Sequence, residues 1–362
     1  MVSSCADSSS SRGRVARLPA AIAGRAIAIS SRHRRAGNLR GCALLETLDT
    51  IDPAFRADVL NGLSEPIPAI PARWLYDRRG SELFDDITRL PSYYPTRTET
   101  GLLEARMEEI ATLAGSSCAI VEFGSGSSTK TPLLLRALSP RAYVPIDISG
   151  EYLRESAARV DQEFPDIAVH PVEADFTKDV ELPAAIDGLQ RLGFFPGSTI
   201  GNFIPRSATD LLRHFRDILG TGAKLLIGMD RVKSVRRLVA AYDDPEGVTA
   251  AFNINLLRRI NRELGADIPI DAFKHEARWN DMLGRVEMHL VAQRDVEFQI
   301  DKRTFAFVEG ATIHTENSHK YGQRGARLLL LAGGWTPIAE WTDEEEDFAL
   351  ILAEAQPIRF AP

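Results

Sequence analysis

The sequence predicts an α/β fold: a parallel sheet wrapped by helices, with a second, smaller α+β domain inserted into it. Between residues 98 and 231 short apolar runs alternate with amphipathic stretches, the pattern of a sheet covered on both faces. A glycine-rich turn, FGSGSSTKT, follows the first of those runs directly. Residues 232 to 317 then interrupt the alternation before it resumes. At 362 residues the chain is long enough for two such domains.

The first 45 residues stand apart. They hold eight arginines and a single acid, Asp7, so the remaining chain is more acidic than the whole, whose formal net charge is −7. This Ser/Arg-rich segment is read as a tail outside the fold: disordered, transit-like, or preceding the true start. An acidic body is a poor partner for phosphate backbones, which excludes nucleic acid. The strongest apolar run, Leu328 to Ala332, is stopped by Gly333-Gly334, far short of a membrane span. Cys5, Cys42 and Cys118 form no C-x-x-C pair, and the seven histidines show no H-E-x-x-H spacing. The expectation is a monomeric, cytoplasmic protein without a metal.

From residue 46 the elements follow in order. LLETLDTIDPAFRADVLNGL has helical spacing and closes on Asn61-Gly62, and Pro66, Pro68 and Pro71 make a stiff connector. GSELFDDITRL is a second helix, and PSYYPTRTE a loop whose tyrosines could wall a pocket. Strands are predicted at 118–123, 142–147, 168–173, 198–203 and 224–229, with helices near 130–138, 150–163, 180–191 and 206–219. AYDDPEGVTAAFNINLLRRINREL reads as one long helical stretch, and RVEMHLVAQ and VEFQID as a hairpin. A helix near 318–331 and two strands joined by the acidic turn of WTPIAEWTDEEEDFALILAEA complete the chain. Residues 46–97 and 232–317 are assigned to the inserted domain, and 98–231 with 318–362 to the sheet domain.

The glycine turn admits three readings. A phosphate-binding G-x-x-x-x-G-K-S/T loop and a G-x-G-x-x-G dinucleotide fingerprint both fail at Thr129. Glu122-Phe123-Gly124-Ser125-Gly126 fits the shorter E/D-x-G-x-G loop of proteins that bind S-adenosylmethionine. A lone G-x-G is as often a plain turn as a binding loop, so the residues ending the next strands decide. Open α/β sheets bind ligands at the carboxyl ends of their strands. Asp147 there suits ribose hydroxyls, Asp175 an adenine amino group, Phe176 a stacking face, and Asn202 in GNFIP a nucleophilic nitrogen near a methyl group. Gly124, Ser125, Gly126, Lys130, Asp147, Asp175 and Phe176 are therefore assigned to the cofactor.

ARWLYDRRGSELFDDITRLPSYYPTRTE, FGSGSSTKT, DISGEYL, PGSTIGNFIPR, AAYDDPEGVTAAFNINLLRRINREL and TENSHKY together resemble the L-histidine Nα-methyltransferases of ergothioneine biosynthesis, over residue 50 to the end. The resemblance implies a Rossmann-like class I methyltransferase sheet with an inserted substrate-recognition domain. It further implies S-adenosyl-L-methionine as methyl donor, and threefold methylation of L-histidine to hercynine. It assigns the substrate carboxylate to Asn202 and Tyr242, the imidazole to Glu316 and Ser318, and the surroundings of the amine and ring to Tyr76 and Tyr93. Met288 and Thr249 match further lining positions, and Tyr76, Tyr93 and Asn202 are the catalytic set. Without the resemblance, Glu316 would read as a first-turn glutamate behind an N-cap Thr315. Competing readings are a methyltransferase of this fold acting on another amino acid or small amine, a non-catalytic S-adenosylmethionine-binding subunit, and a P-loop kinase or ATPase.

Overall fold

The computed structural model describes residues 52–115 and 118–357. The tail expected at 1–45, with Cys5 and Cys42, lies outside the described residues. An eight-stranded sheet organises most of the chain. Its strands are β1 (Ala119–Phe123), β2 (Ala142–Asp147), β3 (Ala168–Val169), β4 (Val172–Glu173), β5 (Arg191–Phe195) and β6 (Lys224–Asp230), closed by β12 (Trp335–Thr342) and β13 (Phe348–Ala355). The order is β12-β13-β6-β5-β1-β2-β3, with β4 also on β2. Pairings from β6 through β3 are parallel, whereas β13 runs antiparallel to both β6 and β12. The chain steps outward from β1 to β2 and β3, then crosses back to β5. That reversal beside β1 is where a crevice opens at the strand ends.

Between β6 and β12 lie a three-stranded sheet, β7 (Phe273–Asn280), β8 (Arg285–Ala292) and β11 (Thr312–His319), and a two-stranded one, β9 (Val296–Ile300) and β10 (Arg303–Phe307). One buried apolar cluster draws only on residues 55–94 and 238–313. Two others cover the large sheet: Ala119, Val121 and Phe123 of β1 enter one and Ile120 the other, as alternation along a strand requires.

Local chemistry sets the helix ends. Asp52 accepts from the N–H groups of Ala54 (2.8 Å) and Phe55 (3.4 Å) to start helix Pro53–Gly62, and Asp77 accepts from Gly80 (2.8 Å) to start Arg78–Arg89. Gly220 and Gly265, at φ +88° and +63°, end helices Pro205–Leu219 and Val248–Leu264.

Several expected elements need correction. The fourth parallel strand is RLGFF, 191–195, and not STIGNF, 198–203; no helix occupies 180–191, where a short 3-10 turn, Ala184–Ile186, precedes the strand. Gly197 and Ser198 sit at φ +76° and +55°, so the chain turns there, and Thr199–Asn202 is a 3-10 turn. The stretch beginning at Ala241 is split between helices Val235–Tyr242 and Val248–Leu264, because Pro245 and Gly247 break it. RVEMHLVAQ and VEFQID do not pair with each other: β8 is the centre strand between β7 and β11, and β9 pairs with β10. The final helix begins at Gln323 rather than near 318, and the supposed loop at 91–99 becomes helical from Tyr94, with Pro95 in its first turn. The last two strands and their acidic turn stand as expected. Among the described residues no helix is long and apolar enough to cross a membrane.

Candidate active site

After β1 the chain turns through Gly124 (φ +72°) and Gly126 (φ +50°). A Cβ on Gly124 would press within 3.3 Å of the Phe176 ring, so backbone conformation and space both demand glycine. Asp147, ending β2, accepts from the N–H groups of Gly126 and Ser149, each at 2.9 Å, and so ties its own strand end to the turn. Burial raises its carboxyl above the ordinary range despite those two donors.

Glu122 locks the loop from beneath. It is buried and accepts from Thr131 Oγ1 (2.6 Å) and Tyr143 Oη (2.5 Å), while desolvation pushes it up to about 7. Lys130 pairs with the buried Glu99, which also accepts from Gly197 N–H at 2.8 Å. The Lys130-Thr131 pair that invited a phosphate-loop reading thus holds two loops in place through carboxylates, and neither side chain is free to serve a phosphate or its metal.

Asp175 follows β4. Its Oδ1 accepts from Thr177 N–H (3.0 Å) and Oγ1 (2.5 Å), and its Oδ2 pairs with Arg73 (3.2 Å), which also pairs with Asp58 (2.6 Å). Sequence reasoning had no sign of Arg73, since its partner is 102 positions away. Phe176 packs edge-on against Phe195 and Phe215, which fixes its ring beside Gly124.

These strand ends meet in one cavity of about 900 Å³, lined by Gly124, Ser125, Gly126, Lys130, Asp147, Asp175 and Phe176. A second recess of about 40 Å³ adjoins it, lined by Tyr76, Tyr93, Asn202, Tyr242, Thr249, Met288, Glu316 and Ser318. Tyr76, Tyr93, Asn202 and Glu316 line both and form the seam between them.

Glu316 lies on strand β11, so the helix-cap alternative is corrected: Thr315 caps nothing, and its Oγ1 donates to the Met288 carbonyl at 3.1 Å. The β8–β11 register slips between His314 and Glu316, and this bulge turns Glu316 to the recess opposite Met288. Its Oε1 accepts from Asn202 Nδ2 at 3.2 Å. Burial lifts the carboxyl to about 7, against the downward pull of the Lys320 charge and the Tyr76 hydroxyl. Tyr76, Tyr93 and Tyr242 are raised far above the usual phenol range, chiefly by burial, and remain protonated. They can donate hydrogen bonds but cannot act as phenolate bases.

Sequence reasoning also missed the charges behind the recess. Lys320 Nζ bonds Asp230 (2.6 Å), Tyr242 Oη (2.9 Å) and Ser318 Oγ (2.8 Å), and Tyr94 Oη donates to Asp230 at 2.7 Å. The signal was present: Glu316, Ser318 and Lys320 share strand spacing, and Asp230 ends β6 as Asp147 ends β2. Cross-strand pairing further brings Glu287, His289 and His314 within 4.8 Å of one another, which linear spacing could not reveal. Glu287 is already paired with Arg285 (2.7 Å), and His289 lies on the opposite face of β8 from Met288.

The sequence that builds this site has known relatives. Residues 55–355 match the model of the family described as histidine-specific, SAM-dependent methyltransferases. A histidine N-alpha-methyltransferase of Mycobacterium tuberculosis is 43% identical over 83% of this chain and 94% of that protein. One of the same description from Mycolicibacterium smegmatis is 41% identical over 84% and 96%. Ergothioneine biosynthesis protein 1 of Neurospora crassa is 30% identical over 79% of this chain and 33% of its own length.

Proposed function

Because the chain belongs to the family of histidine-specific, S-adenosylmethionine-dependent methyltransferases, we propose that it methylates the α-amino nitrogen of L-histidine three times, giving hercynine, the first step toward ergothioneine. The observation that carries this is the seam: Tyr76, Tyr93, Asn202 and Glu316 border both the large cavity and the recess. A reaction between two ligands needs such a boundary.

When bound, S-adenosylmethionine supplies an electrophilic methyl group on a sulfonium. The residues of the large cavity fit it. Two glycines at positive φ let backbone approach without a Cβ, Phe176 offers an apolar face, and the buried Asp147 carboxylate keeps acceptor capacity beyond its two backbone donors. Asp175 serves the adenine end in this reading, and Ser125 and Lys130 complete the wall, Lys130 through its stem, since its ammonium is held by Glu99.

On the substrate side, Asn202 and Tyr242 hold the carboxylate, while Glu316 and Ser318 hold the imidazole edge. Tyr76 and Tyr93, kept protonated, present hydroxyl oxygens that accept from the hydrogens the amine still carries in the first two transfers, and their rings wall the amine so that its lone pair faces the seam in the third. Thr249 and Met288 bound the far side. Catalysis by this arrangement is positioning: an in-line displacement requires that a neutral amine be held in line with the methyl group. The recess measures only about 40 Å³, so histidine must spread the Asn202–Glu316 and Tyr242–Ser318 contacts as it enters.

Mass spectrometry of products after incubation with S-adenosylmethionine and the twenty amino acids tests the reading. A mass increment of three methyl groups on histidine alone is expected. Methylation of a different amino acid with histidine untouched would replace it with the alternative substrate class.

A further inference from the structure

Behind the recess lies a charge pair that touches neither the large cavity nor solvent. The side chains of Lys320 and Asp230 are both fully buried. An ammonium has three protons to give, and the three acceptors here are Asp230 Oδ2 at 2.6 Å, Tyr242 Oη at 2.9 Å and Ser318 Oγ at 2.8 Å. Both hydroxyl oxygens are therefore acceptors toward Lys320. They also lie 2.7 Å from each other, so one of their two protons lies between them until histidine spreads that contact. With both oxygens committed to Lys320, the two protons then point away from it into the recess, Tyr242's toward the substrate carboxylate and Ser318's toward the side chain.

We propose that Lys320, anchored by Asp230, is a positioning residue that orients both hydroxyls as donors, so that Ser318 presents one hydrogen-bond donor to the substrate side chain, opposite the acceptor Glu316. A neutral imidazole carries one N–H and one bare nitrogen, and one acceptor with one donor is its complement. This inference rests on the histidine reading above and adds a residue to it. Without the ammonium the two hydroxyls are free to reverse, and the bare nitrogen then meets a lone pair.

The same cation acts on Glu316 through space. The titratable groups facing that carboxylate are Tyr76, Tyr93, Tyr242 and Lys320, and the phenols stay neutral throughout the working range. His314 bonds the Glu316 carbonyl rather than its carboxylate, at 3.0 Å. Lys320 is thus the one group in that set whose charge favours ionised Glu316. Removing Lys320 should leave the fold intact, because Asp230 keeps Lys233, the Tyr94 hydroxyl and the Arg231 N–H as partners.

The test is steady-state kinetics on histidine from pH 6 to 9 for wild type, Lys320→Met and Lys320→Arg, with calorimetric S-adenosylhomocysteine binding as the control for folding. Lys320→Met is expected to raise KM for histidine about tenfold or more with a smaller loss of kcat, and to move the acid limb of kcat/KM upward by roughly one pH unit. Lys320→Arg, which keeps the charge and donors, is expected to hold the acid limb near its wild-type position. A Lys320→Met enzyme with normal S-adenosylhomocysteine affinity and an unchanged KM and pH profile would overturn the proposal, as would equal effects of both substitutions. Should Lys320→Met fail the binding control, Asp230→Asn loosens the anchor without changing its shape: a raised KM supports the proposal and an unchanged one overturns it. Wild type that leaves histidine unmethylated would instead sink the histidine reading, and that arm is scored separately.

Discussion

Glu316 offers a trade between stability and recognition that can be measured at one atom. Burial lifts its carboxyl from an ordinary 4.5 to about 7. The folded protein therefore holds this proton more tightly than the unfolded chain, and stability falls as pH rises between those values. At about 1.4 kcal/mol per pH unit, an ionised Glu316 costs on the order of 3 kcal/mol at pH 8. Glu316→Gln keeps the side-chain shape and an oxygen for Asn202 but removes the charge. The variant is expected to melt several degrees higher than wild type at pH 8, with the advantage shrinking toward pH 5. Histidine recognition should move the other way. Loss of a charge-assisted hydrogen bond, worth about 1.5 to 3 kcal/mol, predicts a KM for histidine roughly 10- to 150-fold higher. Thermal melts at pH 5 and 8 with steady-state kinetics on histidine and tryptophan provide the two readouts. A variant that is less stable at pH 8 and binds histidine as before would refute the reasoning, because Glu316 would then be an ordinary structural carboxylate.

Other perturbations address the rest of the site. Asp147→Ala should weaken S-adenosylhomocysteine by about 1.5 to 3 kcal/mol in calorimetry, since it removes a buried acceptor and frees the Gly126 turn; unaltered affinity would remove Asp147 from the cofactor site. Asn202→Ala should lower turnover on histidine and on Nα,Nα-dimethylhistidine alike, because it disturbs the aim of the amine rather than the choice of side chain; a loss confined to KM for one substrate would contradict this. A chain beginning at Leu44 retains the whole matched stretch, 55–355, and is expected to fold and methylate as the full chain does. A soluble but inactive truncation would give the first 43 residues a role in the reaction.

The large sheet was legible wherever local chemistry decides. Strands β1 and β2 are short apolar runs, each followed by glycine or a polar turn and then a helix, and Pro205 and Gly220 punctuate the helix before and after. Where two runs compete, local reading fails. STIGNF has strand-like composition, yet RLGFF is the segment buried on both faces and takes the place in the sheet. Gly193 lets Leu219 pack close to it, for a Cβ there would come within 2.6 Å of that side chain's terminal methyl. Pairing partners were unreadable for a related reason: β8 is joined to β11 across two intervening strands, and nothing in RVEMHLVAQ distinguishes that partner from VEFQID.

The site divides along the same line. Gly124, Asp147 and Phe176 were legible as lining one cavity because each ends or follows a strand, and the fold directs these strand ends to one crevice. Glu316 could not be found from local pattern, because its orientation depends on a bulge against a strand 27 positions upstream in Thr315–Met288 contact. Asn202 meets Glu316 across 114 positions, and Tyr94 meets Asp230 across 136. Contacts of that span are consequences of topology, and single residues carry no mark of them. Burial supplies what composition lacks: Lys320, two places beyond Ser318 at a buried strand end, must find an anion, and Asp230, ending an apolar strand, must find a cation. Asp230 and Lys320 satisfy each other, but a strand expected to stop at 229 and a helix expected near 318–331 gave neither residue that place in the sequence. The buried pair therefore follows from the fold and not from local pattern: an unpaired ion in an apolar interior is so costly that a strand end burying one charge must meet the other.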